Sequence, residues 1–237
     1  MLAFKHVLLS LVSLTILLVG CGTQTQQPPP PTATPMATAT ATATATKTPS
    51  PVPTVAPQSL SGRGQQVPPK FELTKGLAIF RMTHDGRRNF AIWLLDGNGE
   101  RIELLVNTIG PFEGAKAIGI ERPGTYVLDI SADGNWRAVI EQPRGPAEVV
   151  APTTFSGQGQ QVSPRFSLGQ GLSTFRMTHD GRRNFAIWLL DDNGQRVELL
   201  VNVIGSFDGA KAVGIKRAGT FTFDIAADGN WTVTIER

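Results

Sequence analysis

The sequence is poor in the residues from which most metal and redox sites are built. It has a single cysteine, Cys21, and three histidines in 237 residues. One cysteine excludes an intramolecular disulfide bond. Beyond the amino-terminal segment each half of the chain has one histidine, so a zinc site would need carboxylate ligands that no motif identifies. We therefore expect no metal site and no cofactor, and packing alone must stabilise the fold.

A dense basic segment and a recognisable catalytic motif are also missing. The 22 Lys and Arg residues only slightly outnumber the 19 Asp and Glu residues. The basic pairs Arg87-Arg88 and Arg182-Arg183 have no series of aromatic residues beside them on which bases would stack. There is no Gly-x-Ser-x-Gly segment, and nothing identifies a nucleophile beside His84. We expect neither a nucleic-acid partner nor an enzyme, and an unrecognised hydrolase is the remaining enzymatic alternative.

Residues 1–20 have the layout of a secretory signal peptide. Lys5 precedes an apolar segment, 7–19, which is shorter than the roughly 20 residues that a membrane-spanning helix needs. The segment ends in Leu18-Val19-Gly20-Cys21, which resembles the bacterial lipobox, where lipoprotein signal peptidase cuts. The resemblance implies that Cys21 carries acyl chains such as palmitate and anchors the mature protein on the extracytoplasmic face of a membrane. It leaves open whether that is the inner or the outer membrane.

Residues 21–58 change in composition to Thr, Pro and Ala. Such a segment has almost no large apolar side chain to bury and is predicted to be a disordered, extended stalk. Its Thr and Pro content also resembles that of O-glycosylated stalks, and an unmodified spacer is the alternative.

The remainder of the chain consists of two copies of one unit. The segment FRMTHDGRRNFAIWLLD occupies 80–96 and recurs unchanged at 175–191, and many of the flanking residues match at the same offset without a gap. Repetition at a fixed period indicates tandem structural repeats. We predict a first repeat over 59–143, a linker over 144–153 and a second repeat over 154–237.

Each repeat is predicted to be all-β. Short segments rich in β-branched and aromatic residues follow one another between Gly, Asp, Asn and Pro residues, and no segment has an apolar stripe at helical spacing. In the first repeat the predicted strands are 66–73, 77–84, 89–96, 101–107, 115–120, 125–130 and 136–141. So many strands in so short a unit indicate two tandem antiparallel β-sandwich domains of the jelly-roll type.

The strand at 89–96 is apolar on both faces. Phe90, Ile92 and Leu94 alternate with Ala91, Trp93 and Leu95, whereas a strand of an antiparallel sandwich normally exposes one face to water. The other repeat, a partner or a loop could cover the second face, and we hypothesise that the two repeats pack on each other there.

The last third of each repeat resembles a family of secreted domains. The segments GTYVLDI and SADGNWRAVIE, and their counterparts GTFTFDI and AADGNWTVTIE, are similar to the closing hairpin of small bacterial β-sandwich domains of the pre-peptidase carboxy-terminal type and related jelly rolls. The resemblance implies an accessory, targeting or adhesion role. The departure here is that no catalytic domain accompanies the repeats.

The densest polar cluster is THDGRRN, at 83–89 and 178–184. Arginine forks suit planar anions, so this loop is a candidate ligand site for a carboxylate, a phosphate or sugar hydroxyls. The alternative is a turn with solvated arginines. The candidate ligand-binding residues are His84, Asp85, Arg87, Arg88 and Asn89 in the first repeat and His179, Asp180, Arg182, Arg183 and Asn184 in the second.

Two weaker candidates concern aromatic and acidic residues. Trp93 and Trp188 are a candidate aromatic platform for sugar rings, with packing in the core as the alternative. Asp96, Asn98, Asp191 and Asn193 resemble fragments of calcium loops, but a hairpin turn explains them without a metal.

These observations together predict a lipid-anchored, extracytoplasmic binding or adhesion protein. Its partner is expected to be envelope polysaccharide or a surface protein. A structural scaffold whose repeats pack mainly on each other is the alternative.

Overall fold

The computed structural model describes residues 56–147 and 149–236. The predicted signal peptide, Cys21 and nearly all of the predicted stalk lie outside these residues. Within the described ranges no helix is long and apolar enough to cross a membrane.

The first repeat is built from eight β-strands, as the sequence predicts for an all-β fold. They are β1 (Gln58–Arg63), β2 (Phe71–Leu73), β3 (Gly76–His84), β4 (Asn89–Asp96), β5 (Arg101–Ile109), β6 (Phe112–Ile120), β7 (Gly124–Ser131) and β8 (Asn135–Glu141). One sheet has the order β1, β8, β3, β6 and the other has the order β2, β7, β4, β5, and every pair within them is antiparallel. Two four-stranded sheets with this order form a jelly roll, which confirms the predicted fold class.

The second repeat has the same architecture. Its strands are β9 (Val149–Val150), β10 (Thr153–Gln158), β11 (Gln161–Val162), β12 (Phe166–Leu168), β13 (Gly171–His179), β14 (Asn184–Asp191), β15 (Arg196–Ile204), β16 (Phe207–Ile215), β17 (Gly219–Ala226) and β18 (Asn230–Glu236). The sheets follow β10, β18, β13, β16 and β15, β14, β17, β12, β9. Strand β9, inside the predicted linker, pairs in parallel with β12.

Each repeat has its own hydrophobic core between its two sheets. Every second side chain along a strand points into this core. In β8 the buried residues are Trp136, Ala138 and Ile140, and in β4 the fully buried residues are Phe90, Ile92 and Leu94. The second repeat buries the equivalent residues of β14 and β18 around Phe223. Each repeat therefore packs as a separate sandwich.

Two details of the first repeat differ from the sequence prediction. Strand β1 is absent from the predicted strands, because QSLSGR has little apolar alternation and is placed by its backbone pairing with β8. The predicted strand 66–73 is reduced to Phe71–Leu73 and an isolated bridge at Gln66. Pro68 and Pro69 lie between them, and proline has no N–H group to donate to a sheet.

The two repeats also share a third, smaller apolar cluster. The first repeat contributes the outward side chains of β3 and β6, and the second contributes β11 and the second face of β14. We call the contacting residues surface A on the first repeat and surface B on the second. Surface A comprises Leu77, Ile79, Ala115, Lys116 and Ala117. Surface B comprises Gln160, Val162, Trp188, Leu190 and Asp224.

Polar contacts join the same two surfaces. Asp224, which is buried, accepts hydrogen bonds from Lys116 Nζ at 2.6 Å and from the Ala117 N–H at 3.1 Å. The Ala115 N–H donates to the carbonyl oxygen of Gln160 at 3.1 Å. Strand β6 is at the edge of its sheet, so surface B pairs backbone donors that the sheet leaves open.

The sequence analysis predicts that the repeats pack on each other at the second face of the strand at 89–96. This hypothesis is correct only for the equivalent strand of the second repeat, β14. In the second repeat Leu190 is buried and Trp188 packs against surface A. In the first repeat the equivalent Trp93 and Leu95 are not part of the shared apolar cluster and remain partly exposed. The contact joins two different surfaces, so it is heterologous rather than two-fold symmetric.

Candidate functional site

The THDGRRN loop joins β3 to β4 and is tied to the turn between β7 and β8. The carboxylate of Asp133 in that turn accepts hydrogen bonds from the backbone N–H groups of Arg87 and Arg88, both at 3.1 Å. In the opposite direction, Asp85 in the loop accepts from the N–H and the side-chain amide of Asn135, both at 2.7 Å. The Asp85 N–H also donates to the Asn135 carbonyl oxygen at 3.2 Å, and these hydrogen bonds between two turns fix the loop backbone.

His84 forms the base of this arrangement. Its side chain is buried and stacks on Phe90 with ring centroids 4.4 Å apart. Nδ1 donates to the carbonyl oxygen of Gly110 at 3.0 Å, and Nε2 accepts from the Gly134 N–H at 3.3 Å. A Cβ atom at Gly86 would lie 2.4 Å from Nε2, so only glycine fits over the ring. His84 therefore positions the loop instead of facing solvent.

The carboxylates of Asp85 in the loop and Asp133 in the turn are held in their ionised form. The side-chain hydrogen bond from Asn135, followed by that from its backbone N–H, lowers the pKa of Asp85. Desolvation opposes ionisation of Asp133, but the N–H groups of Arg87 and Arg88 outweigh it and lower the pKa of that carboxyl as well. Both groups are charged at neutral pH.

The second repeat reproduces this geometry except at His179 Nε2, which is buried and has no hydrogen-bond partner in the described part of the chain. His179 lies 2.9 Å from the Gly205 carbonyl oxygen and stacks on Phe185 at 4.4 Å. Asp228 accepts from the N–H groups of Arg182 and Arg183 at 3.1 Å, and Asp180 accepts from Asn230. The pKa values of Asp180 and Asp228 are lowered by the equivalent contacts. The loop is therefore one structural unit present twice.

The arginine side chains project from this fixed backbone into solvent. Arg87 and Arg88 are exposed, as are Arg182 and Arg183, and within residues 56–147 and 149–236 none of these guanidinium groups has a hydrogen bond or an ion pair. Ile109, beside them, is 80% exposed, and Ile204 is 84% exposed. The Gly110 N–H donates to the Arg88 carbonyl oxygen at 2.8 Å. We call this end of each repeat, with the THDGRRN loop, the turn that holds it and Ile109 or Ile204, the loop end. Each loop end presents two arginines next to an exposed aliphatic side chain.

A concavity borders the loop in each repeat, lined in part by His84 and Asp85 or by His179 and Asp180. Its volume is about 470 Å³ in the first repeat and about 490 Å³ in the second. The shared lining of the first is Thr83, His84, Asp85, Phe112, Asn135 and Trp136. The second is lined by the equivalent Thr178, His179, Asp180, Phe207, Asn230 and Trp231. Hydroxyl, carboxylate and amide groups therefore surround two aromatic rings, a combination typical of small polar ligand sites.

The predicted aromatic platform is not part of this concavity. Trp93 lies on the outer face of β4, with the Arg101 guanidinium 4.6 Å from its ring centroid. Trp188 has Arg196 above it at 4.8 Å and packs against surface A. The structure therefore places both rings apart from the loop, and repeat packing covers Trp188.

The acidic turn considered for calcium closes the hairpin between β4 and β5. Asp96 Oδ1 accepts from the N–H groups of Asn98 and Glu100, both at 2.9 Å, and Asp191 does the same for Asn193 and Gln195. In the described residues no group of three or more His, Cys, Asp or Glu side chains is arranged to hold a metal ion.

Several residues at the loop end were not identified from the sequence. Asp133 and Asn135 belong to the segment SADGNWRAVIE of the closing hairpin, and the sequence does not connect them to a loop that lies more than 40 positions away. Ile109 carries a detectable signal: an isoleucine followed by Gly110 at a strand end in both repeats. Phe112 lies outside the predicted strands, between 101–107 and 115–120, and in the structure it begins β6.

Comparisons with known proteins give only distant similarities. No family model matches the chain, and no curated protein matches it. Among solved structures, it is similar to the CBM22-1–CBM22-2 tandem domain of Xyn10C from Paenibacillus barcinonensis, with 8% identity over 75% of this chain and 86% of that one and a TM-score of 0.24. It is similar to the PBSX exported protein XepA, with 10% identity over 78% and 89% and a TM-score of 0.26.

A third similar structure is an f-lectin (fucolectin) from the serum of Morone saxatilis, the striped bass, with 10% identity over 75% of this chain and 84% of that one and a TM-score of 0.23. Similarities this weak do not extend to function.

Proposed function

We propose that this protein is a lipid-anchored, extracytoplasmic binding protein that presents two copies of one ligand site. The observation that carries the proposal is the loop end of each repeat, where two exposed arginines and an exposed isoleucine stand near a polar and aromatic concavity. The ligand class that fits is an anionic polysaccharide of the cell envelope.

The chemistry of the loop end favours an anion with a ring or chain attached. Guanidinium groups bind carboxylates and phosphates through paired N–H donors. The adjacent concavity supplies Thr83, Asp85 and Asn135 for hydroxyl groups, with Phe112 as an apolar surface. An anionic sugar unit uses both parts at once, whereas a simple ion uses only the arginines.

The rigid backbone of the loop supports binding rather than a purely solvated role. Asp133 fixes the N–H groups of both arginines, so the loop is not ordered anew when a ligand arrives. A preorganised site loses less conformational entropy on binding.

The experiment is retention of residues 49–237 on insoluble anionic polysaccharides and on purified cell envelopes. The test variant replaces Arg87, Arg88, Arg182 and Arg183 with alanine. The matched control removes the same charge elsewhere by replacing the exposed Lys70, Arg122, Lys216 and Arg217 with alanine.

We expect the control to be retained like the parent and the test variant to be lost. If both variants are retained equally, the ligand does not bind through the arginines of the loop end. Variants that remove one arginine pair at a time should each bind far more weakly than the parent if the two repeats engage one polymer, because linkage raises the effective concentration of the second site.

Anchoring requires a separate test, because Cys21 lies outside the described residues. We expect the full chain to fractionate with membranes and the Cys21→Ser variant to lose its acyl chains. Labelling with a radioactive fatty acid distinguishes the acylated cysteine from an uncleaved apolar segment. A labelled Cys21→Ser variant would contradict the proposal.

A structural scaffold is the second candidate function. The observation in its favour is the third apolar cluster, which joins the two repeats through surfaces A and B. Absence of retention on every matrix, with parent and test variant equally stable, would favour this candidate over binding.

A further inference from the structure

The tandem arrangement leaves one unused copy of each contact surface. We call the equivalent of surface A on the second repeat surface A′; it comprises Leu172, Thr174, Ala210, Lys211 and Ala212. The equivalent of surface B on the first repeat is surface B′, which comprises Gln65, Val67, Trp93, Leu95 and Asp129. Only one of these ten positions, Thr174 in place of Ile79, differs in identity from its buried equivalent.

The unused surfaces are the exposed counterparts of a buried interface. Leu77 in surface A is 1% exposed, whereas Leu172 in surface A′ is 69% exposed. Val162 in surface B is 7% exposed, whereas Val67 in surface B′ is 68% exposed. Large aliphatic side chains at such exposure, on a surface already known to pack when it is covered, indicate a missing partner.

The polar groups of the interface are also present on surfaces A′ and B′, where Lys211 is bonded within its own repeat to Glu198 and to the Leu199 carbonyl oxygen. Lys116 bonds Asp224 across the repeats, while Lys211 in surface A′ lies 2.6 Å from Glu198 of its own repeat. Arg196 lies 3.9 Å from Glu103 across the repeats, and Glu198 is the equivalent of Glu103. If surface A′ of one molecule met surface B′ of another, Lys211 could pair with Asp129, as Lys116 pairs with Asp224. Glu198 would then be free to pair with Arg101, as Glu103 pairs with Arg196.

Backbone groups agree with this arrangement. The N–H groups of Ala115 and Ala117 bond residues of surface B, while those of Ala210 and Ala212 have no equivalent partner within the described parts of the chain. Gly119 packs directly on the backbone of residues 193 and 194, and the equivalent Gly214 meets nothing within 4 Å. Surface A′ is thus an open sheet edge with room for close backbone approach.

We propose that a second copy of this chain occupies these surfaces, with surface B′ of one molecule on surface A′ of the next. The contact repeats the one inside the chain and is heterologous, so addition is head to tail and is not limited to a dimer. Thr174 in place of Ile79 removes apolar area, and association between molecules costs translational freedom. The contact between chains is therefore weaker than the one within a chain, and membrane anchoring favours it by concentrating the molecules.

The test is zero-length cross-linking of the full chain in its membrane with a water-soluble carbodiimide, which joins a carboxylate to a contacting amine. We expect a series of species of two, three and more chains, and a cross-linked peptide that joins Lys211 to Asp129. The pair Lys116–Asp224 supplies an internal positive control, because its amide leaves the chain monomeric.

Variants show whether the cross-links depend on contact between surfaces A′ and B′ or only on the presence of a reactive amine and carboxylate. Leu172→Glu and Val67→Glu retain both reactive groups, and we expect each to reduce the multimeric species at least about tenfold, which corresponds to about 1.4 kcal/mol. Val150→Glu, at a site 65% exposed outside both surfaces, should leave them unchanged. Lys211→Asp should abolish the Lys211–Asp129 product, and Lys211→Asp combined with Asp129→Lys should restore cross-linking at these positions.

The proposal is overturned if the multimeric species persist in Leu172→Glu, or if Lys211 couples between chains to carboxylates other than Asp129. Absence of any species larger than one chain, while the Lys116–Asp224 product forms, also overturns it. Circular dichroism of each variant excludes unfolding as the cause of a loss.

Discussion

The loop ends and the outer sheet surfaces differ in how the two repeats use them. At the loop ends each hydrogen bond of the first repeat to Asp85 or Asp133 has a counterpart in the second. At the outer surfaces the same residues are buried in one repeat and exposed in the other, as for Leu77 and Leu172. Loop geometry is therefore intrinsic to a single repeat, whereas the environment of the outer surfaces depends on what lies beside them.

The largest expected loss in the free energy of unfolding comes from breaking the buried ion pair between Lys116 and Asp224. Asp224→Ala leaves Lys116 and the Ala117 N–H without their partner, and loss of one member of a buried pair costs about 3 to 5 kcal/mol. Asp129→Ala, the equivalent change on surface B′, should alter the free energy of unfolding by about 0.5 kcal/mol or less. Urea unfolding of dilute protein, followed by tryptophan fluorescence, measures both. Equal losses would show that Asp224 does not stabilise the repeat contact.

The apolar part of the interface gives the next effect. Leu77→Ala removes a side chain that is 1% exposed and should lower the free energy of unfolding by about 2 to 4 kcal/mol. Leu172→Ala, at 69% exposure, should be close to neutral. Thermal unfolding at low protein concentration separates the two variants. A destabilised Leu172→Ala monomer would contradict the asymmetry of the two surfaces.

A smaller effect is expected where the backbones approach closely. A Cβ atom at Gly119 would lie 2.9 Å from the carbonyl oxygens of Asn193 and Gly194, so Gly119→Ala must displace backbone and should cost about 1 to 3 kcal/mol. Gly214→Ala meets no atom within 4 Å and is the matched control. The urea midpoints of the two variants should differ clearly, and coincident midpoints would be inconsistent with direct packing at Gly119.

The smallest effect concerns acid stability and should be alike in both repeats. The folded-state pKa values of Asp85 and Asp180 are lowered, so their stabilisation is complete above the unfolded value of about 3.9 and is lost as the pH falls through the folded value. Asp85→Asn and Asp180→Asn should each lower Tm at pH 7 and make its decline below pH 4 shallower. Unequal effects would argue that the loop ends are not equivalent.

The sequence predicts the strands of this protein better than its interfaces. Segments such as Asn89–Asp96 are identified by composition and alternation, whereas the polar β1 is placed only by pairing with β8. The second apolar face of β14 correctly indicates a covering surface. Which surface covers it is not encoded locally, because Leu77 and Leu172 are the same residue in nearly the same context.

The candidate site shows the same division. THDGRRN was identified as a polar cluster, and its arginines do face solvent. That His84 is buried follows from contacts with Gly110 and Gly134, which are distant in sequence and meet only when the hairpins fold. Residue type suggests the chemistry of a loop, but the partners contributed by other turns decide which of its side chains reach solvent.

The pairing of the first strand of each repeat with its last has a consequence for how such chains lengthen. Gln58 lies opposite Ile140, and Thr153 lies opposite Ile235, so the polypeptide enters and leaves each module at the same end. Because its two ends lie close together, another copy of the module can be inserted between two repeats without a change in the path of the chain in either neighbour. Gene duplication therefore extends the array without a change in topology.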